Sequence, residues 1–213
     1  MNADRIRELL EPFISGHELS DQQLSLISAY LDLLLKWNAK INLTAIRDPE
    51  QIVQRHFGES LFAAREIAEK LRSSQGLSGQ ILIDVGSGAG FPGIPIKMWA
   101  SDLHVILVEA RQKKATFLRE VARSLALDGL EVLSDRAEEL RIQADVVTLR
   151  AVEQFENALP AAARLVKPGG SLCLLIGSAQ VTTATSLLSF AWEQPIPIPL
   201  SAARVLLLGR APS

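Results

Sequence analysis

Two hydrophobic rhythms divide the chain. In "SDQQLSLISAYLDLLLKWNAKI" the apolar residues Leu24, Ile27, Leu31, Leu34 and Leu35 recur every three or four positions, the period of one helix face. Ser20 opens the stretch and Gln23 follows three residues later, a capping-box pattern. "INLTAIRDPEQ" interrupts it. Asp48 and Pro49 fit an N-cap and a first helical position, which predicts a second long helix from Pro49 to Leu71. The polar "RSSQGLSGQ" then marks a boundary. Residues 1–72 are expected to form a helical cap and residues 73–213 a sheet domain, packed as one compact unit.

From Ile81 the rhythm changes to short apolar runs alternating with helical stretches. "ILIDV", "HVILVEA", "LEVLSD", "ADVVTLRAV" and "SLCLLIG" read as five strands. "KKATFLREVARSLAL" and "FENALPAAARLV" read as helices between them, and another begins near Gly93. This alternation predicts a doubly wound α/β fold, a mostly parallel sheet with helices on both faces. The end differs. "PIPIPLS" and "ARVLLLGR" are joined only by a turn, which predicts an antiparallel hairpin at the sheet edge.

Composition changes the picture in two places. Among 213 residues the net charge is -2, so a nucleic-acid face has to be a local basic patch. The single cysteine, Cys173, excludes a disulfide framework and a cysteine-cluster metal site, and no metal is expected. The charged opening "MNADRIRELL" lacks a signal-peptide core, and the apolar runs are too short to span a bilayer. A soluble, cytoplasmic protein without membrane contact, acting as a monomer, is expected.

The chemistry concentrates in "IDVGSGAGFPGIP". Gly88 to Gly93 matches the dinucleotide pattern G-x-G-x-x-G; Asp84 to Gly90 matches the D-x-G-x-G-x-G loop of S-adenosylmethionine-dependent methyltransferases. Either loop needs small residues so that backbone can approach the ligand at a strand end. Three features favour the methyl donor. Pro92 and Pro95 remove backbone donors where a pyrophosphate would sit. "VKPGGSLCLL" supplies a tight turn into strand five. The terminal hairpin suits a methyltransferase sheet better than a dinucleotide fold. Glu109 ends strand two, where a carboxylate can accept hydrogen bonds from a ribose diol in either class.

The acceptor is narrowed by what is missing. Cys173 sits inside an apolar strand, which argues against cysteine-dependent C5 methylation. "LRAV" stands where amine methyltransferases often carry an Asn/Asp-Pro-Pro-aromatic motif. A nucleophile with a free lone pair and no proton to lose, such as guanine N7, needs no general base. Catalysis is then alignment and charge management, with which the sequence is compatible.

These residues carry a resemblance. "KWNAKINLTAIRDPEQIVQRHFGESL", "IDVGSGAGFPGIPI", "RAEEL" and "LRAV", in this order over nearly the whole chain, are similar to the 16S ribosomal RNA guanine-N7 methyltransferases, the glucose-inhibited division protein B family. The resemblance implies a class I S-adenosylmethionine-dependent methyltransferase with a Rossmann-like sheet, and 16S rRNA or the small ribosomal subunit as partner. It implies that Gly86, Gly88, Gly90 and Phe91 contact the methyl donor, that Glu109 takes the ribose, and that Ala137 and Glu138 border the adenine. It also implies Arg150 as the arginine at the mouth shared by cofactor and substrate, and Asn42, Thr44, Arg55 and His56 as part of the RNA side.

Two basic sets could grip phosphates: Arg111, Lys113, Lys114, Arg119 and Arg123 with Arg136, and Lys36, Lys40, Arg47 and Arg55. Of these, Arg111, Lys113 and Arg136 join the expected RNA contacts. The chain departs from the family at Glu59, where Asp is usual, at Ile176, where Lys is usual, and in its tail, which lacks the Glu-Arg opening and a Lys-rich end. Two other readings stand beside the enzyme: a non-catalytic RNA-binding or assembly protein that keeps the donor, and an NAD-type oxidoreductase.

Overall fold

The computed structural model describes residues 1–70, 79–150 and 154–213. Most of "RSSQGLSGQ", with the expected boundary at 72/73, lies outside the described residues, as do Ala151 and Val152 of "LRAV".

The chain opens with α1 (Ala3–Ile14) and α2 (Asp21–Ile41). The capping box forms as read: Ser20 Oγ accepts from the Gln23 amide, and Gln23 Oε1 accepts from the Ser20 amide. Asp48 likewise accepts from the Gln51 amide at the start of α3 (Pro49–Ile52). The predicted long helix is not uniform. A wider π-type turn, Val53–Gly58, separates α3 from α4 (Glu59–Lys70). Val53, Phe57 and Leu61, all buried, keep a four-residue spacing that suits either kind of turn, so the apolar rhythm does not reveal it.

The strands are β1 (Ile81–Val85), β2 (His104–Val108), β3 (Leu130–Leu133), β4 (Ala144–Arg150), β5 (Val166–Gly177), β6 (Ala191–Trp192), β7 (Ile196–Pro197) and β8 (Arg204–Arg210). Between them lie α5 (Gly93–Trp99), α6 (Gln112–Ser124), α7 (Phe155–Arg164) and α8 (Val181–Leu187). The order across the sheet is β3-β2-β1-β4-β5-β8-β6, with β7 also on β8. Strands β3 to β5 in this order are parallel, and β8 runs antiparallel to β5. The expected hairpin exists as β7 and β8, with the long β8 inside and the two-residue β6 and β7 outside it. Strand five starts earlier than predicted, at Val166. The "KPGG" turn is held into the sheet because Gly169 donates to Pro212 and Ala211 donates to Gly170.

Alternation along each inner strand feeds two cores. Leu82, Val105 and Leu107 join a core with Tyr30, Phe57, Phe91 and Phe117, shared by the helical segment, α5 and α6. Ile83, Ile106 and Val147 join the opposite core with Leu159 and Ala184 of α7 and α8. Strand order reverses at β1, because β2 lies on one side and β4 on the other. The crevice outside the strands' C-terminal ends opens there, the usual ligand position in such sheets.

Candidate active site

The loop after β1 is tied down by its own amides. Gly86 and Ser87 donate to Val108, Gly88 donates to Glu109 Oε2, and Gly90 donates to Ser87. Left-handed φ at Gly86, Gly88 and Gly90 makes this path possible. The first turn of α5 is also closed. Gly93 donates to Asp84 Oδ2 at 3.2 Å, Ile94 donates to Gly90, and Pro92 and Pro95 have no N–H. A pyrophosphate needs free amides at this helix start. They are engaged, which removes the ground for the oxidoreductase reading.

Asp84 anchors this arrangement. It is 1% exposed, accepts from Thr148 Oγ1 at 2.7 Å, and joins β1, β4 and α5. Burial raises its pKa to about 6, against the lowering effect of the Thr148, Gly93 and Ser87 hydrogen bonds and of Arg150.

Beside the loop lies a cleft of about 410 Å³. The ends of β1 and β2 contribute Gly86, Glu109 and Arg111; the segment after β3 contributes Arg136, Ala137 and Glu138. Glu109 is buried, and its carboxylate accepts from Gly88 at 2.9 Å and from the Arg111 amide at 2.8 Å. Each oxygen keeps a lone pair for a hydroxyl, so the position fits a ribose diol. Arg164 of α7 fixes the far wall by donating to the carbonyls of Ala137 and Glu138.

The other expected residues separate into groups. Gly88 and Gly90 shape the loop without lining the cleft. Phe91 turns its ring away from the cleft into the core, stacked on Tyr30 at 5.3 Å and on His56 at 4.9 Å. Arg150 also lies outside the cleft lining and faces the π-type turn. It donates to Glu59 Oε2 at 2.9 Å, to the Arg55 carbonyl at 2.6 Å, and to His56 Nδ1 at 3.1 Å. Arg204, at the start of β8, holds the other Glu59 oxygen, and Arg55 Nε lies 3.8 Å from it. One buried carboxylate thus gathers three guanidiniums beside the ends of β4 and β5.

His56 completes this cluster. With Nδ1 accepting from Arg150, Nε2 carries the proton and donates to Thr44 Oγ1 across 2.8 Å. Burial, then Arg150, Arg55 and Arg204, push its pKa down to about 3, so it is neutral. Thr44 is itself held by Asn38. Asn42 is exposed at the end of α2, and Lys113 is exposed on α6; neither joins the cluster. Arg111 and Arg136, expected on the RNA side, line the cleft instead.

Sequence reasoning missed Asp84 as an anchor, and also Tyr30, Thr148 and Arg204. Asp84 was visible as the acidic start of the loop pattern. Arg204 lies in the tail, where no local motif marks it. Ile176, another departure, is 3% exposed in the α7/α8 core.

A parallel sheet with this order, a closed glycine loop and an acidic strand end define a class I S-adenosylmethionine-dependent methyltransferase. Solved structures agree on the fold. A SAM-dependent methyltransferase from Aquifex aeolicus is 16% identical with TM-score 0.57, over 79% of this chain and 96% of that one. A SAM-dependent O-methyltransferase from Thermotoga maritima is 16% identical with TM-score 0.58, over 84% and 71%. Residues 23–189 match the GidB family, described as rRNA small subunit methyltransferase G. Relatives named ribosomal RNA small subunit methyltransferase G include one from Exiguobacterium, 39% identical over 82% of this chain and 72% of its own. Another, from Aquifex aeolicus, is 42% identical over 71% and 74%. The chain belongs to the rRNA small subunit methyltransferase G family.

Proposed function

We propose that the protein transfers a methyl group from S-adenosylmethionine to N7 of a guanine in 16S ribosomal RNA, in the cytoplasm. The observation that carries this reading is the closed glycine loop beside a cleft walled by Glu109, Ala137 and Glu138. It suits a nucleoside without phosphate. Glu109 would hold the ribose, Ala137 and Glu138 the adenine, and Gly86, Gly88, Gly90 and Phe91 would fix the loop backbone against the donor. When bound, the donor supplies an electrophilic methyl group on a sulfonium.

The acceptor reading is supported by how three acid–base groups near the loop are engaged, while Asp135 and Glu138 stand on the donor cleft itself. His56 is neutral with both ring nitrogens engaged, Glu59 is held by arginines, and Asp84 is buried. Guanine N7 has no proton to lose, so no base is needed. Arg150 would steer the acceptor through the Arg55, Glu59 and His56 cluster.

The packing of α2 on α6 supports an RNA partner. Trp37 meets Phe117 at 5.7 Å, and the Glu120 pKa is lowered first by its hydrogen bond from Arg123 and, to a lesser degree, by the nearby charge of Lys36. Lys36 thus neighbours the Arg123–Glu120 pair of α6, and Lys40 and Lys113 are exposed on the same two helices, a local basic set despite the acidic total. Asn42, Thr44 and Arg55 continue the RNA side beyond the end of α2. Among the described residues no helix is long and apolar enough to cross a membrane.

The test is transfer itself. The protein and methyl-labelled S-adenosylmethionine are incubated with small ribosomal subunits lacking the modification, and the label is mapped by nuclease digestion and mass spectrometry. Label on guanine N7 is expected. Donor binding without label on subunits or naked RNA overturns the acceptor and leaves the non-catalytic reading.

A further inference from the structure

We propose that Tyr30, in the helical segment before the sheet, is a positioning residue for the methyl-donor loop; this rests on the reading of the cleft as the donor site. Tyr30 is fully buried on α2, 59 residues before its partner, and its hydroxyl donates to the Ala89 carbonyl. That carbonyl belongs to the loop whose neighbouring amides, at Gly86, Ser87, Gly88 and Gly90, all bond within the sheet domain. The hydroxyl of Tyr30 therefore reaches the loop from the opposite side and fixes the peptide between Ala89 and Gly90.

Two further observations separate this from an ordinary core tyrosine. The backbone at Gly90 has φ +90°, and a Cβ there would collide with the Tyr30 hydroxyl and with Ile94. The glycine at 90 is thus required by Tyr30 as well as by its own backbone. The next residue, Phe91, stacks on the Tyr30 ring at 5.3 Å with 14° between planes, while Phe57 meets it edge-on at 5.1 Å. His56 stacks on the same Phe91 ring and takes an N–H from Arg150. The helical segment thereby grips the loop at Ala89 and at Phe91 and connects it to the arginine cluster.

Removing only the hydroxyl leaves the Ala89 carbonyl buried without its partner and lets the loop relax. For Tyr30→Phe, the Kd for S-adenosylmethionine should rise about tenfold, the size of one buried hydrogen bond. The rate at saturating donor and the KM for RNA should change less than about twofold, because acceptor alignment is untouched. Titration calorimetry well below the unfolding midpoint reads the first effect, and initial rates read the second. A merely structural tyrosine would lower the midpoint and leave donor Kd unmoved, which would overturn the proposal.

A second readout needs no substitution. Tyr30 is the sole tyrosine, so 3-fluorotyrosine labelling gives one ¹⁹F resonance. That resonance should shift on adding S-adenosylmethionine, saturating at one equivalent. An unmoved resonance in protein that binds donor rejects the role of Tyr30 alone. If the unmodified protein binds no donor, the cleft reading falls and this proposal with it.

Discussion

Glu59 and Arg150 form a buried ion pair between the helical segment and the sheet, 2.9 Å apart with side chains 2% and 9% exposed. Arg55 and Arg204 face the same carboxylate, so the two partners are not equivalent. Glu59→Ala leaves three guanidiniums without their shared counter-ion and should cost about 3–5 kcal/mol. Arg150→Ala leaves Glu59 with two arginines, and about 2 kcal/mol or less is expected, the loss of one charged hydrogen-bonded partner. Urea unfolding of both variants checks the order. Equal losses would mean that Glu59 does not organise the cluster. Because Arg150 lies outside the cleft lining, its variant should keep donor affinity while losing transfer.

His56 and Asp84 make opposite demands on pH. His56 falls from 6.5 to about 3 in the folded protein, so its contribution is full above pH 6.5 and is lost as pH falls toward 3. Asp84 rises from 3.8 to about 6, so its contribution is full below pH 3.8 and is lost as pH rises through 6. Between about pH 4 and 6 the two slopes oppose each other, each approaching about 1.4 kcal/mol per pH unit for a full proton. Relative to the unmodified protein, Asp84→Asn should make stability rise more steeply with pH in this window. His56→Gln should tilt it the other way. Denaturation at half-unit pH steps reads both, and parallel curves for all three proteins would refute the burial of these groups as described.

The glycines of the loop should respond unequally to alanine. At Gly88 a Cβ meets only the Gly86 carbonyl at 3.7 Å, so Gly88→Ala carries the backbone strain of φ +57°, about 1–2 kcal/mol. Gly90 has φ +90° and also clashes with Tyr30 and Ile94, so overpacking adds to strain and about 3 kcal/mol or more is expected. Thermal unfolding of the pair is sufficient. A Gly90→Ala protein as stable as Gly88→Ala would show that Tyr30 does not press on the loop.

The alternation of strands and helices, the two faces and the glycine loop are legible because each is written locally, in a period or a motif. Ser20 with Gln23 and Asp48 with Pro49 even specified their caps. What stayed hidden depends on contacts distant in sequence. Arg150 and Glu59 are 91 residues apart, and Arg204 and Glu59 are 145 apart. Phe91 sits in a cofactor motif, yet its ring serves the core, because a bulky ring at the loop's end is drawn to Tyr30, His56 and Phe57. The π-type turn left no mark because both kinds of turn accept the same apolar spacing. Arg111 and Arg136 were grouped by charge, and only the sheet order shows that the segments after β2 and β3 meet over one cleft.

Glu109 offers the sharpest check on the donor cleft. Its carboxylate does two things at once: it holds the amides of Gly88 and Arg111, and it faces the space where a ribose diol would lie. A carboxylate is acceptor-only, whereas a glutamine presents one acceptor and one N–H₂ donor. In Glu109→Gln the amide group can satisfy one of the two backbone donors but turns its own hydrogens on the other. Both Glu109→Gln and Glu109→Ala should therefore weaken donor binding, by between about tenfold and a few hundredfold, the range for one or two charge-assisted hydrogen bonds. The loss should appear in donor Kd and donor KM, with RNA KM little changed. If Glu109→Gln binds S-adenosylmethionine as tightly as the unmodified protein, the ribose does not lie on Glu109, and the donor must enter the cleft in another orientation.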